Sequence, residues 1–297
     1  MKRIRIPWIV ELVLSSDADE IQAFANDTKL DRAYSDRSIL ANGLILQRVR
    51  NTLEIGGKPF PTVAPRCAEG RAEAQQALWH RLNALAPAYS AGPEELESLA
   101  DFVRGEGPVE TCGPLVQQVV GRLFAPNFNA TPESWSAALV LDQAPRTMNL
   151  PLLAWWTLTG RINRAKQLLS SMVGGDLAAV HAIGVALHNI VSGVNLMRQL
   201  WSDASTRTVL SPELAGGQCI FAPPTVLRQP IAADDSASGA LQAGTVVILN
   251  LQAANAKTPD ANLAFLRKTW SQCPAEQWVP ALLEGIWRRA CDAHLHS

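Results

Sequence analysis

At 297 residues the chain is long enough for one large domain or two small ones, and 47% of it is hydrophobic. Its 26 basic and 27 acidic side chains nearly cancel, which leaves no excess of positive charge for a nucleic-acid groove or an anionic membrane surface. The five cysteines (Cys67, Cys112, Cys219, Cys273 and Cys291) are scattered, odd in number and free of CxxC spacing, which excludes a disulfide framework or a zinc ribbon and suits a reducing cytoplasm.

The opening "MKRIRIPWIVELVL" places basic residues before an apolar stretch, as a signal peptide does. Glu11 interrupts that stretch and no small-residue cleavage site follows, so it reads as an opening strand. No apolar run approaches the roughly 20 residues needed to span a bilayer, and "PLLAWWTL" (151–158) is far too short. A cytoplasmic protein is expected, with neither membrane nor nucleic acid as partner.

Helical periodicity then dominates. "DADEIQAFAND" (17–27) starts at an acidic cap and sets Ile21 and Phe24 on one face. "AEGRAEAQQALWHRLNALAP" (68–87) is rich in strong helix formers and is expected to stop at Pro87. "GPEELESLADFVRGEG" (92–107) has proline in its first turn and glycine past its end. "CGPLVQQVVGRLF" (112–124) and "LLAWWTLTGRINRAKQLLSSMV" (152–173) continue the pattern, each as one helix. "GGDLAAVHAIGVALHNIVSGVNLMRQLW" (174–201) is apolar over much of its surface and so predicts a central helix.

After residue 218 the style changes. "FAPPTVLRQPIAADD" (221–235) is proline-broken and extended, with Asp234-Asp235 as a solvated turn. "SGALQAGTVVILNLQAANA" (238–256) carries a hairpin signal: a turn at Ala243-Gly244, then the β-branched run Thr245–Ile248. "PAEQWVPALLEGIWRRACDAHL" (274–295) closes the chain as a helix that Pro280 should kink or start late.

Taken in order, "HAIGVALHNIVSGVNLMRQLW", "CIFAPPTVLRQPIAADD", "GALQAGTVVILNLQAANAKTPD" and "SQCPAEQWVPALLEGIW" resemble the C-terminal half of a cytochrome P450. In that family a long central helix is followed by a proline-broken segment with an arginine, a small β hairpin, and a cysteine loop feeding the last helix. The third stretch is similar to the family's "IPAGTxVxxxxxAANRDP", and the fourth to its "CPG" before the proximal helix. "DADEIQAFANDTKLDRAYSDR" looks like the family's early strand, helix and turn. The resemblance implies a mainly α fold with a small β subregion, a shortened P450-like fold. A single domain over 1–297 is expected, with a mainly helical part (1–217), a proline-broken segment and hairpin (218–260), and a cysteine loop with the last helix (261–297).

The departures are specific. Where the family's Glu-x-x-Arg pair should fall, this chain has Gln218-Cys219-Ile220-Phe221. In the Phe-x-x-Gly-x-x-x-Cys loop, Phe265 stands eight residues before Cys273 rather than seven, with no glycine between. The acid–alcohol pair that delivers protons to bound oxygen falls near Ala186-Leu187, neither of which relays a proton.

The resemblance implies haem b (iron protoporphyrin IX) with Cys273 as its thiolate ligand. A cysteine before a proline and a helix start is suited to that task, because helix N–H groups stabilise the thiolate. The bland reading of Cys273 is a small buried hydrophobe. Arg228 follows "PPTVL", where the family places an arginine on a haem propionate; the alternative is an ordinary surface arginine. Arg66, Arg71, Trp79, His80 and Arg81 lie where the family uses His, Arg or Trp on the propionates, in a register the sequence leaves open. His181 and His188, seven apart, share a helix face. His188 is a candidate distal hydrogen-bond donor, a second iron ligand or the group that handles protons in catalysis, with a satisfied core histidine as the alternative, and Gly184 a place for a ligand's approach or for close helix packing. Cys291, His294 and His296 in the tail read as an adventitious metal site.

The implied activity is oxidation of a small apolar or aromatic substrate by a haem-dependent monooxygenase or peroxygenase. Electrons would come from a ferredoxin-type donor or, given the missing acid–alcohol pair, from peroxide. The rival expectation is a haem-free P450-like scaffold used for interaction or carrier recognition. An unrelated helical ligand-binding domain is the third.

Overall fold

The computed structural model describes residues 1–32, 39–147, 149–231, 241–242, 244–257 and 260–295. Asp234-Asp235, Ala243, His296 and the side chain of His294 lie outside the described residues. The chain groups into two compact units, each assembled from two stretches: residues 1–75 with 222–273, and residues 76–221 with 274–297.

The first unit is built on a five-stranded sheet in the order β1-β2-β7-β6-β3. Strands β1 (Lys2–Ile6) and β2 (Val10–Ser15) form an antiparallel hairpin, so the expected opening strand is two strands turned at Pro7-Trp8. Helix α1 (Ala18–Asn26) is capped by the Asp17 carboxylate and buries Ile21 and Phe24, as the periodicity requires. Strand β3 (Leu30–Asp31) follows, then α2 (Leu40–Thr52) and a small ladder of β4 (Glu54–Ile55) with β5 (Lys58–Pro59). Asn42 of α2 pins the helix to the sheet: its amide donates to the carbonyls of Glu11 and Gly244 at 2.5 and 2.7 Å.

Strand β6 (Val226–Pro230) pairs antiparallel with β7 (Val246–Leu249), and β7 runs parallel to β2. The β-branched run is thus a strand, with Gly244 at φ 84° before it. The antiparallel partner of β7 is β6, while the arm expected before the Ala243-Gly244 turn falls largely outside the described residues; "LQAANA" after the strand lies in helix α13 (Leu251–Lys257).

The second unit is helical. Helix α3 (Arg71–Ser90) begins in the first unit and runs through Pro87 rather than ending there. Pro87 sits in the last turn with its ring exposed; it gives up one N–H bond and the helix ends within a turn of it. Then come α4 (Glu97–Arg104), α5 (Cys112–Arg122) and α6 (Pro132–Gln143). The stretch expected as one helix over 152–173 is two, α7 (Leu150–Leu158) and α8 (Arg161–Met172), broken by Gly160 at φ 62°.

The central helix spans α9 (Leu177–His181), a π segment (Ala182–Ala186) and α10 (Leu187–Ser202). By length and hydropathy this helix could cross a membrane, contrary to the expectation that no such stretch exists. Its Ile183, Leu187, Val194 and Met197 are fully buried within the helical unit, as a core helix demands. Short helices α11 (Ala204–Val209) and α12 (Pro212–Gln218) follow, and after the return through the first unit, α14 (Ala261–Ala264) leads to the cysteine loop. Helix α15 (Trp278–Leu295) starts late, placing Pro280 in its first turn.

Helix α15 packs on its neighbours at backbone distance. A Cβ at Gly285 would lie 1.8 Å from the Tyr89 carbonyl oxygen, whereas one at Gly217 of α12 would meet nothing within 4 Å. Gly285→Ala is therefore expected to cost about 3 kcal/mol and lower the melting temperature by about 5–10 °C. Gly217→Ala should leave it unchanged or raise it, since alanine is the better helix former; calorimetry on both variants checks the pair.

Candidate functional site

Between Phe265 and Cys273 the chain makes a loop that closes on itself, the Cys273 amide donating to the Phe265 carbonyl at 2.8 Å. Leu266 and Lys268 take positive φ values of 48° and 62°, conformations that glycine would adopt without strain. In place of the glycine, Thr269 organises the turn: its hydroxyl donates to the Leu266 carbonyl at 2.8 Å and accepts from the Ser271 amide at 3.3 Å. Outside partners hold the loop too, with Gln22 donating to the Arg267 carbonyl at 2.9 Å and Gln75 to that of Gln272 at 2.7 Å.

Cys273 is half-buried. It does not abut a helix: residues 274–277 are a turn, and α15 begins at Trp278, so the expected support from helix N–H groups is displaced along the chain. Burial pushes the Cys112 and Cys219 thiols up to about 12, the behaviour of inert core cysteines. The five cysteines form no disulfide.

Three residues before Cys273, Trp270 gathers three guanidinium groups. Arg71, Arg228 and Arg32 lie 4.7, 4.9 and 5.3 Å from its ring centroid. All three are buried, Arg228 completely. Arg228 reaches the site from β6 and donates to the Ser271 hydroxyl at 2.6 Å. Arg71, at the start of α3, donates to the carbonyls of Ala64 and Trp270, each at 3.2 Å. Arg32 follows β3 and donates to the Thr62 carbonyl at 2.5 Å. Burial, and then the neighbouring charge of Arg32, bring the Arg71 pKa down to about 10 against the opposing pull of Asp31. The Trp270 indole N–H is buried and meets no acceptor among the described residues.

The other sequence candidates lie elsewhere. The Arg66 side chain is exposed, and only its amide is engaged, donating to Asp31 at 2.8 Å. In the helical unit, Trp79 donates to Glu276 at 3.1 Å and packs edge-on to His80, while exposed Arg81 stacks over Phe124. Phe265 is buried, with Arg267 over its ring. Among the described residues no three metal-ligating side chains come together.

On the central helix, the π segment covers the positions singled out for chemistry. A π turn releases main-chain carbonyls from their usual partners, and Gln117 of α5, fully buried, donates to the Ile183 carbonyl at 3.0 Å. The His188 ring faces the carbonyls of Ala138, at 3.2 Å, and Gly184, and packs 5.3 Å from Trp135. A Cβ on Gly184 would touch Leu141 and Leu169 at 3.0 Å, which is close helix packing. The π segment also separates His181 from His188, so their spacing is no longer that of one α-helical face. Ala186 is exposed and Leu187 buried.

Burial holds the His188 imidazole below the usual histidine range, although Asp142 and the two carbonyls favour its protonation. The folded chain therefore takes up this proton less readily than the unfolded chain. Stability is fully present above the unfolded histidine pKa of about 6.5 and is lost as pH falls below it. Urea midpoints at pH 7 and pH 5 should drop more for the native chain than for His188→Gln; parallel profiles would refute the assignment.

No protein-family profile matches the sequence, and no curated protein matches it. Solved structures do. A 6-coordinated cytochrome P450 from Thermus thermophilus is 12% identical, with 94% of this chain and 84% of that chain covered at a TM-score of 0.57. CYP154C4 from Streptomyces sp. W2061 is 15% identical over 97% of this chain and 83% of that one, with a TM-score of 0.59. P450BioI, solved in complex with an acyl carrier protein ligated to hexadec-9Z-enoic acid, is 15% identical over 96% and 85%, with a TM-score of 0.57. At such identities the likeness is one of fold: this chain has a cytochrome P450-like fold.

Proposed function

We propose that this chain binds haem b through the Cys273 thiolate and acts as a haem-thiolate oxidoreductase on a small apolar or aromatic substrate. The observation that carries the reading is the gathering of Arg32, Arg71, Arg228 and the Trp270 N–H in the loop that bears Cys273. That donor set fits the group. A soft sulfur ligand suits iron, and three guanidiniums with one neighbouring acid, the buried Asp31, leave an excess of N–H donors and positive charge that suits the two carboxylates of a haem edge. When bound, thiolate-ligated haem supplies oxygen-transfer chemistry that no side chain provides.

The residues of this chain have narrower tasks. Arg71 and Arg228 orient the carboxylates, and the Thr269-centred turn holds the loop that presents Cys273. The central helix offers no proton relay at Ala186-Leu187, and His188 is engaged with main-chain carbonyls. Protons and electrons are therefore better brought together by a peroxide than drawn from a ferredoxin-type donor. Trp270 also gives the haem-free reading a physical basis, since its indole already occupies the faces of the guanidiniums. A carrier-recognition scaffold is the form that reading takes.

Protein expressed with iron and haem precursor should show a Soret band that moves to the thiolate-type position on reduction under carbon monoxide. Cys273→Ala should abolish that movement. A folded, colourless native chain would refute haem binding and favour the scaffold.

A further inference from the structure

The tip of the first hairpin carries a surface that the proposed chemistry leaves unused. Ile6, Pro7, Trp8 and Ile9 form a turn closed by the Ile9 amide donating to the Ile6 carbonyl at 3.1 Å. Proline at the second position and a positive φ at the third are the pattern of a type II turn, whose third residue is ordinarily glycine. Here it is Trp8, at φ 67° with 85% of its surface exposed. A bulky left-handed residue persists only where its surroundings impose it. The imposing contact is with α2: the Leu40 and Ala41 amides donate to the Trp8 and Ile9 carbonyls at 3.3 and 2.8 Å, capping a helix whose N-terminus has no side-chain cap.

That capping lays the first turn of α2 beside the hairpin tip. Ile6, Trp8, Ile9, Leu40 and Leu44 are each half exposed or more, which makes one apolar patch in the first unit. Its neighbours on β1 are the exposed Lys2, Arg3 and Arg5, and the hairpin's one acid, Glu11, is turned inward and paired with both arginines. The whole-chain charge of −1 conceals this local basic and apolar character.

We infer that the hairpin tip docks on the surface of an anionic lipid bilayer, with Trp8 seated at the headgroup level. An exposed tryptophan among aliphatic side chains, flanked by basic residues, has the chemistry of such an interface. Antiparallel pairing of β1 with its copy in a second chain, centred on Ile4, is disfavoured because it would set Arg3 opposite Arg5 across the seam. The inference does not depend on haem.

The test uses the full chain with sucrose-loaded vesicles of phosphatidylcholine alone or of phosphatidylcholine with about one-third phosphatidylglycerol. The native chain should sediment with the anionic vesicles, less so as salt rises, and not with the neutral ones. Trp8→Gly relieves the turn, so it should keep or raise thermal stability while vesicle affinity falls roughly tenfold or more. Equal binding by Trp8→Gly, or no native binding to anionic vesicles, overturns the inference. So does self-association that Trp8→Gly abolishes without any vesicle binding, which would assign the patch to contacts between copies.

Discussion

Three buried guanidiniums against one indole is the arrangement on which the rest of the first unit depends. Arg32, Arg71 and Arg228 come from stretches far apart in sequence, and like charges this close repel strongly in a low-dielectric interior. The indole faces offset part of that cost through cation–π contact, and carbonyls of Ala64, Thr62 and Trp270 take several of the N–H groups. The Arg71 pKa, brought down to about 10, records the remaining penalty. Asp31 offsets part of that charge at Arg71, and an anion with several acceptor oxygens would offset more of it.

The same cluster explains how a loop without glycine keeps its shape. Arg228 fastens Ser271, Arg71 fastens the Trp270 carbonyl, and Thr269 closes the turn, so strain at Leu266 and Lys268 is held from both sides. In the helical unit a comparable irregularity lies in the π segment, where Gln117 and His188 engage carbonyls from the disturbed ladder. Both irregularities fall at positions where the P450 resemblance places chemistry.

Much of this was legible in the sequence, and the misses have physical causes. Helix periodicity located α1, α4 and α5 because each buries one face, whereas the central helix declared itself by being apolar over much of its surface. The run Thr245–Ile248 marked β7, and "PPTVLR" marked Arg228. Pro87 misled because the helix ends within a turn of it, so only one N–H bond is given up, and Gly160 was hidden at the junction of an apolar run (150–158) with an amphipathic one (161–172). Arg66 and Arg81 resembled Arg71 in sequence; only the three-dimensional path of the chain distinguishes them. Arg32 and Trp270 were missed because a cation–π cluster drawn from four distant stretches has no local spacing. Gln117, a lone amide on the buried face of an apolar helix, was the one available clue to the π segment.

The most direct measurement compares haemin with its dimethyl ester, titrated into the haem-free full chain and followed by absorbance. The account predicts stoichiometric binding of haemin, with the ester weaker by roughly tenfold or more, because esterification removes the carboxylates that the arginines would hold. Equal affinity for the two compounds, or no saturable binding of either, would contradict the assignment of the Arg32–Arg71–Arg228–Trp270 cluster as a carboxylate cradle.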